Sequence, residues 1–98
     1  MMSEFLAVLA LYYACDATAA TRPMSPQEMQ ACTATYDTVK TYFVTGFDLA
    51  PRGTLERFAQ MTAAYAAFKD WEDSNPDLVA AMRADAMNRV RGLMPVDG

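Results

Sequence analysis

The chain has 98 residues and contains no histidine and no isoleucine, with only four glycines and two cysteines. Without histidine, the usual general base near neutral pH and the commonest metal ligand are both missing. A chain without isoleucine but rich in alanine and methionine favours helix over sheet. Three of the glycines, Gly46, Gly53 and Gly92, stand where elements are expected to stop or start, and Gly98 is the last residue.

Positive charge is also scarce. Eight basic residues face twelve acidic ones, for a net charge of −4. The basic residues are dispersed, and Asp85 interrupts the only near-cluster, Arg83, Arg89 and Arg91. Nucleic-acid affinity draws on a basic patch, so DNA and RNA are disfavoured as partners. There is no Gly-x-Ser-x-Gly, no phosphate-cradling glycine loop and no dinucleotide fingerprint. The chain is therefore read as non-enzymatic and without a cofactor, and no family resemblance emerges from its motifs.

What is present is apolar material, 53% of the chain, which excludes wholesale disorder. Ninety-eight residues allow one small domain over residues 1–98. The spacing predicts an all-α bundle of about four helices, at residues 3–19, 26–45, 54–73 and 76–91, joined by short connections.

Residues 25–44 carry the clearest pattern. Met29, Cys32, Tyr36, Val39 and Phe43 recur at steps of three and four, one stripe of a helix. Ser25 is placed to cap it, Pro26 suits the first position, and Glu28 stands where a capping-box acid belongs. Gly46 is expected to end it. In the connector that follows, Phe47 and Leu49 are expected to turn inward.

Residues 5–15 form an uncharged apolar run, too short to span a membrane unless it continues past Asp16. It reads as a core helix with Phe5, Val8, Tyr12 and Cys15 inward, widened by Leu6 and Leu9, and capped by Ser3. The alternative is a leader: residues 1–20 resemble a signal segment, and Ala14-Cys15 the end of a lipoprotein cleavage site. Glu4 and the lack of positive charge weigh against that. A membrane role would require lipid on Cys15 or insertion of this segment. The compartment stays open: an intracellular protein or assembly component is favoured, an exported envelope protein is the alternative.

The break at 21–24 should fold the first helix back along the second. Cys15 and Cys32 then lie at similar heights, so a disulfide closing a 17-residue separation and a pair of buried thiols stand equally.

In the third helix Leu55, Phe58, Met61 or Thr62, Tyr65, Phe68 and Trp71 are expected to form the buried face, among many alanines. Asn75, Pro76 and Asp77 start the fourth helix as cap, first residue and dipole partner. There Val79, Met82, Ala86 and Val90 face inward, Leu78 and Leu93 flank them, Arg89 and Arg91 occupy the last turn, and Gly92 stops the helix. A loose tail with Pro95 follows.

Asp70, Glu72, Asp73 and Asp77 cluster at that junction. Residues 73–77 imitate the opening of a calcium loop, but Leu78 stands where its glycine belongs and Ala84 where its glutamate belongs, so no metal site is expected. The cluster reads as solvated charge. Trp71 is expected in the core, with a partner anchor as the alternative. Tyr13 and Tyr42 lie off the main stripes and are the candidates for exposed contact. The leading expectation is a module acting through a protein partner or self-association, as a subunit, adaptor, inhibitor or structural component. Its contact surface would include Tyr13, Tyr42, Asp70, Trp71, Glu72, Asp73 and Asp77.

Overall fold

The computed structural model describes residues 2–92, apart from the side chains of Met2 and Phe47. Four α-helices run in order: α1 (Met2–Thr21), α2 (Pro26–Thr41), α3 (Leu55–Ser74) and α4 (Pro76–Gly92). There is no strand among the described residues. The expectations for Leu93, the tail beyond it and the Phe47 side chain lie outside what is described.

Helix starts follow the capping residues. Ser25 sits in extended backbone and its Oγ accepts from the Glu28 amide at 3.1 Å, while Glu28 Oε1 accepts from the Ser25 amide at 2.9 Å. Two of the orphan amides of the first turn are thereby satisfied. Arg22 adds a two-pronged clamp on Glu28, with 3.1 and 2.6 Å contacts. The hydrogen bond from Arg22, with that from the Ser25 backbone, pulls the Glu28 carboxyl down to about 2. Thr54 caps α3 by accepting from the Arg57 amide at 3.1 Å.

Two boundaries differ from expectation. The first helix begins at Met2, so Ser3 lies within it instead of capping it. The second helix ends at Thr41, well before Gly46. The amides of Tyr42, Phe43 and Val44 bond three residues back, to Val39, Lys40 and Thr41, so the last turn tightens and closes. A single 3-10 turn over Thr45–Phe47 follows, with Gly46 at φ +66°, a left-handed backbone that favours glycine. At the third junction Asn75 serves both helices: its side-chain amide donates to the Trp71 carbonyl at 2.8 Å at the end of α3, and its own carbonyl accepts the first α4 bond, from the Val79 amide at 3.0 Å.

Helix α1 is the centre of the bundle, packed most extensively on α4 and then on α2. Phe5, Leu9, Tyr13 and Ala17 are its buried residues. Steps of four advance about 40° around a helix, so this line winds and meets neighbours on more than one side. With Val39, Phe68 and Ala86 they form one continuous core. Phe5 meets Tyr42, Phe43 and Trp71 edge-on at 5.4, 5.7 and 5.1 Å between ring centres. Tyr12 stacks on Tyr36 at 4.7 Å, and Phe68 closes against both.

Helix α2 is threonine-rich yet regular. Thr33, Thr35, Thr38 and Thr41 each return their hydroxyl to the carbonyl four residues earlier, which satisfies them without a solvent-facing partner. Met29, expected inside, is 57% exposed, because the first turns of α2 extend beyond the core. The connector to α3 is held from below by two side chains. Gln60 accepts from the Ala50 amide and donates to the Asp48 carbonyl, both at 2.8 Å, and Arg57 donates to the Ala50 carbonyl at 3.0 Å. Leu49 is half-buried and Ala50 buried as a result.

Cys15 and Cys32 are joined by a disulfide between α1 and α2, with their Cα atoms 5.8 Å apart. Closing a loop of that size stabilises a chain by about 3 kcal/mol.

Candidate functional site

Helices α1, α3 and α4 bring one acid and two bases together at the α3–α4 joint. Glu72 follows Phe68 by one helical turn and is turned inward with it, leaving 9% of the residue exposed. Burying a carboxylate is costly without donors, and three side chains provide them. Tyr13 Oη donates to Glu72 Oε2 at 2.6 Å, Lys69 Nζ donates to Oε1 at 2.9 Å, and the Arg83 guanidinium lies 3.5 Å from Oε2. Arg83 also lies over the Tyr13 ring, 4.2 Å from its centre, and donates to Asp16 at 3.2 Å.

Burial alone would raise the Glu72 pKa. The hydrogen bonds from Tyr13 and Lys69 and the charges of Lys69 and Arg83 outweigh it and hold the carboxyl below its ordinary value. Burial, with the Glu72 hydrogen bond and charge, drives the Tyr13 hydroxyl well above the ordinary tyrosine value. The Glu72 hydrogen bond raises Lys69 against a smaller opposing effect of burial. Each polar atom has a partner: no buried side-chain nitrogen or oxygen among the described residues is left unsatisfied. A shallow groove at this joint is lined by Lys69, Glu72, Asp73, Pro76, Val79, Ala80 and Arg83. The arrangement binds helices together through an acid held ionised between two cations.

The structure thus corrects two of the expected contact residues. Tyr13 is 1% exposed, because the α1 line winds toward α3 and α4 and the hydroxyl finds Glu72 there. Glu72 is not a solvated acid, for the same reason. Trp71 is half-buried against Phe5, and Tyr42 is half-buried on the same ring. Asp70, Asp73 and Asp77 are exposed. Among the described residues no group of three or more His, Cys, Asp or Glu is placed to hold a metal ion. Among the described residues no helix is long and apolar enough to cross a membrane.

A second surface feature is larger. Leu55 is 89% exposed, Phe58 71% and Tyr65 48%. These residues were expected in the core. Instead α3 presents Ala64, Phe68, Trp71 and Glu72 to the bundle, which rotates the Leu55–Phe58–Tyr65 stripe onto the open flank. Ala59, Thr62, Ala63 and Ala66 are exposed with them, and Met61 is half-buried at the edge. The 3–4 periodicity of the stripe is real, but alanine on every side gave no contrast to show which face the bundle covers.

No family model, no curated protein and no solved structure matches the chain.

Proposed function

We propose that this protein is a small non-enzymatic helical module that acts through protein–protein contact, as a subunit, adaptor, inhibitor or structural component. The observation that carries this reading is the uncovered stripe of Leu55, Phe58 and Tyr65 on α3. Contiguous apolar surface of this kind marks interaction sites, and aromatic side chains dominate such contacts. The exposed acids Asp70, Asp73 and Asp77 rim its far end. The polar joint at Glu72 supports the same reading from the other side, since its ionisable groups are spent on holding α1, α3 and α4 together.

The test is capture by the immobilised full chain, run beside a Phe58→Glu variant, with solution mass measured on both. Partners or self-association lost on Phe58→Glu are the expected result. A chain that stays monomeric and captures nothing overturns the reading.

The disulfide favours a second reading, an exported protein, because such bonds persist in oxidising compartments. In that setting Cys15 is committed to Cys32 and is unavailable for lipid. The intact mass of the protein from its native source, before and after reduction and alkylation, tests this. A thiol pair that alkylates without prior reduction removes the argument.

A further inference from the structure

The exposed face of α3 has an internal symmetry. Thr62 lies at its middle. Phe58 stands four residues before it and Ala66 four residues after; Ala59 stands three before and Tyr65 three after. Each bulky ring on one side of Thr62 is therefore matched by a methyl at the mirrored position on the other. All five residues are exposed.

We propose that α3 pairs with α3 of a second copy, antiparallel and about a two-fold axis at Thr62; the proposal rests on the contact reading above and names its partner. In this register Phe58 of each chain meets the partner's Ala66, and Tyr65 meets the partner's Ala59. Rings enter the recesses left by methyl groups, as knobs enter holes in paired helices. Leu55, Phe58, Thr62 and Tyr65 follow the alternating three–four step of such a seam. Thr62 meets its own copy, and its hydroxyl already donates to the Phe58 carbonyl at 2.9 Å, leaving the methyl for the contact.

Charge selects the same orientation. Between Leu55 and Lys69 this face carries no charged side chain. Its C-terminal end carries Asp70 and Asp73, both exposed, beside Lys69, whose charge is paired with Glu72 at 2.9 Å. Antiparallel pairing sets these acids beside the N-terminal end of the partner's α3, the positive end of its helix dipole, where Arg52 and Arg57 outnumber the first-turn acid Glu56. A parallel pair would stack ring on ring and acid on acid. A C2 contact of this kind is self-complementary by construction.

The test uses the full chain with its disulfide intact. Sedimentation equilibrium of the wild type should give the mass of two chains at high concentration, reverting on dilution. Phe58→Glu should weaken the dimer by more than about tenfold, as expected for an aromatic anchor, with unchanged helical circular dichroism. Ala66→Trp, which fills the recess, should do the same. Under mild oxidation Thr62→Cys should bridge two copies. Phe58→Cys should not, because the two positions would lie about 12 Å apart along the seam. A dimer that survives both Phe58→Glu and Ala66→Trp, or that bridges through Phe58→Cys as readily as through Thr62→Cys, overturns the proposal. A wild-type monomer whose captured partner is lost on Phe58→Glu also overturns it while the contact reading stands. A monomer that captures nothing removes both.

Discussion

The Tyr13 hydroxyl donates to the Glu72 carboxylate at 2.6 Å, joining residues 59 positions apart. It is the shortest of the three contacts that keep a buried acid ionised between α1, α3 and α4. Removing it should leave Glu72 short of one donor in a site that water does not readily reach. Tyr13→Phe is expected to cost about 1–3 kcal/mol in urea unfolding. A cycle with Glu72→Gln should show a coupling of about 0.5–3 kcal/mol; additive losses would mean that the two groups act independently.

The same groups set the response to pH. Glu72 and Glu28 titrate below their ordinary values in the folded chain. Their contribution is present above the unfolded carboxylate range and is lost as pH falls through the folded values. Tyr12, Tyr13 and Tyr36 are raised, Tyr36 to about 12, chiefly by burial. Lys69 is raised as well, through its bond to Glu72. These contributions are complete below the unfolded values and are lost as pH rises through the folded ones. Melting temperature should therefore be highest between about pH 5 and pH 10 and fall on both sides. Glu72→Gln should flatten the acid side, which thermal melts from pH 2 to pH 7 would reveal.

Reduction of the Cys15–Cys32 bond should lower stability by about 3 kcal/mol without abolishing the helices. The measurement is urea unfolding with and without a reductant. The Cys15→Ser, Cys32→Ser double variant should match the reduced protein and be insensitive to reductant.

Core and flank of α3 should respond in opposite ways. Phe68 is 1% exposed, and Phe68→Ala should cost about 3–5 kcal/mol. Leu55 is among the most exposed apolar residues, and Leu55→Ser should change the stability of the monomer by no more than about 0.5 kcal/mol. Unfolding measured at low protein concentration separates this from any loss of association.

The capping box offers a local check. Ser25→Ala should cost about 1 kcal/mol, since the Glu28 amide loses its acceptor. Exposed as it is, the site should transmit little of this loss to the α3–α4 joint.

Helix number, order and most boundaries were legible from caps, prolines and glycines, because those residues act through the backbone of their own turn. Ser25, Pro26, Glu28 and Pro76 all stand where their chemistry requires. The inward faces were less legible. Helix α1 is apolar on nearly every side, so its periodicity favoured Tyr12 while the winding core line buried Tyr13 more deeply. In α3 the alanines hid the direction of the core, and Phe58 was expected inside. The buried role of Glu72 depends on Tyr13 and Arg83, which are remote in sequence. Its spacing of four from Phe68 was the one local sign. The end of α2 at Thr41 depends on a tightened turn that residue types alone did not mark.

The two helices that pack most extensively, α1 and α4, lie at opposite ends of the described chain. Two of the contacts on α1, Tyr13 to Glu72 and Asp16 to Arg83, reach across separations of 59 and 67 residues. During synthesis α1 emerges first and the Cys15–Cys32 pair can close a hairpin with α2, but the rest of its apolar surface has no cover yet. Part of that cover comes with Phe68, Trp71 and Glu72 of α3, and the most extensive part only with the last helix. Contacts of such long sequence separation slow the final closure, and until then the nascent hairpin presents its greasiest helix to chaperones and to neighbouring chains.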